Sequence, residues 1–201
     1  MALRIQNEFS PIEICTAYNP DWQAKLPAAC SNIYSAYSVT DTPTLACLYQ
    51  AYGDVTALAW LKAQLIRVND FVGTRLKLTD DQLEDLAIQI LAEYDYLNML
   101  EFILFCGRLR SGKYEDFYSS VDPMRILKSL DCFCRDRTID INREITKIEK
   151  EKRDKEREES AKNAISLEQY VENCKAKGVE LDEFILSLVS NIHNKGENGK
   201  K

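Results

Sequence analysis

Residues 79–109 read TDDQLEDLAIQILAEYDYLNMLEFILFCGRL, and this stretch decides the fold. Thr79-Asp80-Asp81-Gln82 is a capping box: a Thr hydroxyl takes the amide three residues on, and Gln reaches back. Behind it Leu83, Leu86, Ala87, Ile90, Leu91 and Tyr94 recur at helical spacing. A short break near Asp95 leads to a second helix, Leu97 to Leu109, with Leu100, Ile103, Leu104 and Gly107, and Gly112 ends it. Two apolar-striped helices in tandem, the first of them capped, predict helix-on-helix packing.

Outward from this pair the same grammar holds. Toward the N-terminus, Thr42 with Pro43 opens a short helix carrying Leu45, Leu48, Tyr49 and Tyr52, and Gly53 is its stop. Asp54 starts the next, to about Phe71, with Val55, Leu58, Ala59, Leu61, Leu65, Ile66 and Val68 covering more than one face, as a central core helix does. Asp21 begins a helix to about Tyr37 along Trp22, Leu26, Cys30, Ile33 and Tyr37, with a bend or later start at Pro27. Residues 1–20, with Pro11 and Pro20 and little periodicity, read as an irregular arm.

Toward the C-terminus, Asp122-Pro123 opens a helix through Ile126, Leu127, Leu130 and Phe133 to about Arg137. Ile141, Ile145 and Ile148 continue one stripe. Glu149 to Glu159 is then eleven charged residues without a break. Its i,i+4 pairs read as a solvated helix or a helix fraying into disorder, and it lacks the apolar positions of a coiled coil. Ser166-Leu167-Glu168-Gln169 is a second capping box, starting a helix that ends at Gly178, and a last helix is expected over about 181–193. The expected architecture is all-α: a compact multi-helix bundle with a charged helical connector and a small C-terminal helical pair. The body is placed at 21–148, the connector at 149–165, the pair at 166–194 and a disordered tail at 195–201.

Composition supports this and excludes several functions. Seven Gly and five Pro are too few for a many-stranded chain. The net charge of −6 is unlike that of a typical nucleic-acid binder. It is uneven: residues 1–106 hold 6 basic and 13 acidic residues, while 107–148 hold 9 and 7. The start has no apolar signal core, and the longest apolar-rich stretch, near Met99 to Cys106, is far too short to span a bilayer. A cytoplasmic protein without a membrane role is expected. The seven cysteines lie in apolar surroundings without paired metal-ligand spacing and read as reduced thiols.

Catalytic signatures are absent. The single histidine, His193, sits near the tail, and no nucleophile elbow or phosphate-cradling loop occurs. Arg110-Ser111-Gly112-Lys113 resembles the end of a P-loop but follows a helix where a strand is required. The Asp80, Asp81, Glu84 and Asp85 cluster reads as acids that complement the positive end of a helix dipole, with a metal-dependent enzyme site on these carboxylates as the lesser alternative. No enzyme activity, cofactor or metal is expected. The richest segment joins Arg108, Arg110, Lys113 and Tyr114 to Phe117, Tyr118, Arg125, Lys128, Arg135 and Arg137. Basic residues interleaved with aromatics can grip phosphates and stack on bases, or form a wet rim over a helical turn. Arg108, Arg110, Lys113, Tyr114, Tyr118, Arg125, Arg135 and Arg137 are the candidate contact residues. The partner is expected to be another protein, with nucleic acid as the alternative.

The segment 105–137, FCGRLRSGKYEDFYSSVDPMRILKSLDCFCRDR, resembles the core of an uncharacterised family of small helical proteins from Bacteroidales genomes, phages and mobile elements. The pattern is carried by Arg108, Arg110, Gly112, Lys113, Tyr114, Phe117, Tyr118, Val121, Asp122, Pro123, Ile126, Leu130, Phe133 and Arg137, and the preceding helix fits as well. Glu115-Asp116 stand where the family tends to have Gly-Arg, and Ser119 where it has Gly, which makes the turn less basic. The resemblance implies no established activity. Its setting implies a helical adaptor near DNA replication or transfer.

Overall fold

The computed structural model describes residues 1–27, 30–114, 117, 120–165, 167–180 and 182–185. The elements are α1 (Ala2–Glu8), α2 (Pro11–Ala17), a 3-10 turn (Pro20–Gln23), α3 (Ile33–Ser38), α4 (Leu45–Phe71), α5 (Asp80–Glu93), α6 (Met99–Arg110), α7 (Pro123–Asn163) and α8 (Leu167–Ala176). Among the described residues there are no strands, and the chain is all-α. It divides into two units, Met1–Thr146 and Lys147–Lys201.

The decisive stretch folds as read. Thr79 accepts from the Gln82 amide and Gln82 returns the bond, so α5 starts at Asp80. The next helix has a box of its own. Asn98 accepts from the Glu101 amide at 2.8 Å, and the Glu101 carboxylate accepts from the Asn98 amide at 3.0 Å. Met99 through Cys106 are all buried, so α6 is the axis of the first unit. Trp60, Phe102, Phe105 and Phe133 form a run of tilted and edge-on ring contacts through it.

The start of α4 is tied to the α5–α6 turn by backbone bonds. Leu45 and Ala46 donate to the Leu97 and Asp95 carbonyls at 2.9 and 2.8 Å, and Met99 donates to the Pro43 carbonyl at 2.9 Å. Orphan amides at the two helix starts are thereby satisfied across the chain. Thr44, rather than Thr42, is the cap, accepting from the Cys47 amide. Thr42 is buried instead. The stop at Gly53 is a kink between two helical segments of α4. Gly53 holds φ 81° and ψ 178°, a left-handed backbone that a side chain would strain. Past the kink Leu61, Leu65 and Val68 are buried, but Val55 is 76% exposed, so this helix is not apolar all round.

The irregular arm at 1–20 is not irregular: it holds α1 and α2. Ser10 and Glu13 form a capping box and Pro11 occupies the first helical position, a start signal in which Pro acts as a helix opener. Ile5 and Ile14 enter the core, and the Tyr52 hydroxyl donates to the Ile5 and Phe9 carbonyls. The helix expected over 21–37 is likewise split. Asn19 caps the 3-10 turn, and Asn32 with Ser35 forms a new capping box that starts α3. The two caps and Pro27 replace one long helix with two short ones.

The helix opened by Asp122-Pro123 does not stop near Arg137 but continues as the 41-residue α7. In the first unit its buried apolar residues are Ile126, Leu127, Leu130, Phe133 and Ile141, whereas Ile145 is exposed. The unit boundary therefore lies at Thr146, and the first unit includes residues 1–20, unlike the expected 21–148 body. In the second unit the charged run is helical and solvent-exposed, and α8 buries Val171 and Cys174 before Gly178. The capping residue Ser166, the helix expected over 181–193 except 182–185, and the tail lie outside the described residues.

Candidate functional site

The structure disperses the basic-aromatic candidates. Arg137 is partly buried. Its Nε donates to Glu101 Oε1 at 2.7 Å, and its guanidinium lies 5.1 and 5.5 Å from the rings of Tyr37 and Tyr96. Tyr114 is partly buried against Phe105 and Phe133. Its hydroxyl accepts from Arg108 Nη1 at 3.2 Å and donates to Asp136 at 3.3 Å. Arg108 and Tyr114 thus brace the end of α6 against α7. Burial raises the Tyr114 hydroxyl above its ordinary pKa.

Arg110 lies over the Phe71 ring at 4.1 Å, with Nε and Nη1 buried and lacking a hydrogen-bond partner. Burial, then nearby Arg67, lowers its pKa from the ordinary value. Lys113, Arg125 and Arg135 are exposed. Tyr118 lies outside the described residues. Among the described residues, no single surface gathers the seven remaining side chains. Sequence spacing could not show this, because an Arg stacked inside a helical turn and one on its rim have the same local pattern.

Two more tyrosines join the α5–α6 turn to α7. Tyr94 donates to Asp131 at 2.6 Å, and Tyr96 to Cys134 Sγ at 3.4 Å. Burial, then the partner, pushes Tyr94 well above the ordinary tyrosine pKa and Tyr96 up to about 12.

The acidic start of α5 also has a structural account. Lys62 reaches Asp80 at 2.8 Å and Glu84 at 3.0 Å, bridging α4 to α5. Among the described residues no group of three or more His, Cys, Asp or Glu side chains could hold a metal ion. Among them no helix is long and apolar enough to cross a membrane.

A further concavity lies elsewhere. An open groove of about 650 Å³ runs between α4 and α5, lined by Ala46, Tyr49, Gln50, Asp54, Leu58, Ile88, Leu91, Ala92 and Asp95. Its lining is mostly apolar, and Tyr49 and Ile88 are each 49% exposed. Asp54 and Asp95 supply its only charges. The Gly53 kink shapes this wall, because it restarts α4 at Asp54 beside the end of α5. Tyr49 reads in the sequence as part of the apolar stripe of its helix but is half exposed, and Ile88 is not singled out there. Ile88 breaks the core stripe of α5, and that is the one signal that pointed to it.

No curated protein and no solved structure matches the chain. A family model described as a family of unknown function (DUF6633) matches residues 77–180, which run from just before α5 to just past α8. One wall of the groove, on α5, falls inside that match, and the other, on α4, precedes it. The match spans more than half of the chain, and the protein belongs to the DUF6633 family of unknown function.

Proposed function

We propose that the protein works by binding another protein, not by catalysing a reaction, and that its contact surface is the α4–α5 groove. The observation that carries this reading is the exposure of Tyr49 and Ile88 along one mostly apolar concavity. Large apolar side chains left half in water on a single groove mark contact sites. Isolated ones are ordinary, but these two share a lining with Leu58 and Leu91.

The same view moves the contact away from segment 108–137, where Arg108, Arg110, Tyr114 and Arg137 serve internal packing. The resemblance of residues 105–137 to a mobile-element family supports an adaptor role beside DNA replication or transfer, in the cytoplasm. The test is capture from host extract with Ile88→Lys as the comparison. A specific partner retained by the wild type and lost by the variant is the expected result. Equal recovery by both overturns the groove as the contact.

A second reading is direct nucleic-acid binding through the cations that remain exposed, Lys113, Arg125, Lys128 and Arg135. It requires a gel shift at low salt that weakens steeply as salt rises. Absence of any shift removes it.

A further inference from the structure

The groove's charge says what kind of segment it takes, on the reading above that it is a contact surface. From Thr44 to Leu61 and from Leu78 to Gly107 the chain contains no Lys or Arg. Both walls are therefore built without a positive charge. The acids on α5 are not scattered. Asp81, Asp85, Ile88 and Ala92 step by four, three and four, so they lie on one stripe of α5, and Asp95 follows two residues past its end. The apolar groove residues of α5 thus stand in line between carboxylates.

Lys62 neutralises Asp80 and Glu84 at the start of α5. Its reach ends there. Among the described residues Asp54 and Asp95 have no cationic partner, and both line the groove. Asp54 accepts only the neighbouring Val55 amide, at 2.8 Å.

The groove's walls are two helices that run antiparallel. Ala46, early in α4, bonds the Asp95 carbonyl past the end of α5, whereas Lys62, later in α4, meets Asp80 at the start of α5. A valley between two such helices accepts a third helix by ordinary ridge-and-groove packing. We propose that the groove seats an amphipathic helix of a partner protein whose apolar face is bordered by Lys or Arg. Apolar anchors at i, i+3, i+4 and i+7 cover Tyr49, Leu58, Ile88 and Leu91. The bordering cations pair with Asp54 and Asp95, which an uncharged cover would strand without water.

Two other occupants meet the same charges. A second copy on a two-fold axis would set this acidic face against itself. A nucleic acid would bring phosphates to carboxylates.

The experiment is selection of helical peptides on the folded, full-length chain. A displayed library keeps apolar anchors at i, i+3, i+4 and i+7 and randomises the border positions. Enriched peptides are resynthesised and titrated by fluorescence anisotropy. The expected result is Lys and Arg at the borders, and affinity that falls with salt. Binding weakens severalfold with Asp54→Asn or Asp95→Asn, and by roughly tenfold or more with Ile88→Lys. All three positions are exposed, and circular dichroism checks that each variant folds. Acidic or uncharged borders, self-association of the chain through Ile88, or no enriched peptide that depends on Ile88 overturns the proposal. If capture of a native partner still depends on Ile88 while the borders come out neutral or acidic, the protein-binding role stands and the basic helix alone is refuted.

Discussion

Arg137 on α7 donates from Nε to Oε1 of Glu101 on α6 at 2.7 Å, and the Glu101 side chain is only 1% exposed. Glu101 is also the reciprocal member of the Asn98 capping box, so one buried carboxylate closes a helix start and holds a second helix. Tyr37 and Tyr96 flank the guanidinium. Removing one partner strands the other charge away from water. Arg137→Ala is expected to destabilise the fold by about 3–5 kcal/mol, read from urea unfolding. The double change Glu101→Gln with Arg137→Met is expected to cost clearly less than Arg137→Ala alone. Equal losses would show that lost packing, not an unpaired charge, sets the cost.

Alkaline pH should weaken the protein through Tyr94 and Tyr96. Both have folded pKa values raised above the ordinary 10.0 by burial, then by their partners. A raised pKa means that the fold favours the protonated phenol. Its contribution is fully present below pH 10 and is lost as pH rises through the folded value, about 12 for Tyr96. The melting temperature is therefore expected to fall from pH 10 upward, and to fall less steeply in Tyr94→Phe with Tyr96→Phe. A slope unchanged by the double variant would assign the loss to other groups.

Gly107 is a packing contact between α6 and the 3-10 turn. A Cβ there would lie 2.6 Å from the Gln23 carbonyl oxygen, and backbone cannot swing aside as a side chain can. Gly107→Ala is expected to cost about 1–3 kcal/mol in chemical denaturation. Gly73→Ala is the control, since nothing lies within 4 Å of the added carbon, and it should be close to neutral.

Thiol labelling should separate the cysteines by burial. Cys132 is exposed, while Cys30 and Cys106 are buried, and burial raises the Cys106 thiol far above its ordinary pKa. In the native state a disulfide reagent is expected to label Cys132 rapidly and Cys106 only after unfolding. Rapid native labelling of Cys106 would contradict the packing of α6.

The charged end of α7 should be helical through its own ion pairs. Lys152 and Glu156 approach to 3.9 Å at i,i+4, and both are exposed. A peptide of residues 147–163 is expected to show partial helicity by circular dichroism that declines as sodium chloride screens such pairs. Salt-independent helicity would point to backbone propensity instead.

The sequence by itself determined the helical class and the starts of α5 and α7. Caps and stripes act through neighbours three and four residues apart, and such contacts form whatever the rest of the chain does. Thr79 with Gln82 and Asp122 with Pro123 were legible for that reason, and the break at Gly53 was legible because glycine readily takes its positive-φ backbone, although it is a kink and not a stop. So, in principle, was the Ser10–Glu13 box that makes the N-terminal segment helical. Tertiary structure alone decided which helix faces meet. Arg137 and Arg135 are both cations on one helix, and only packing sends the first to buried Glu101 and leaves the second in water. The same holds for the groove: Ile88 is one apolar residue among many on α5, and it becomes a contact candidate only because the kinked α4 leaves it uncovered beside Tyr49. Burial depends on chain segments far apart in sequence, and no local pattern encodes it.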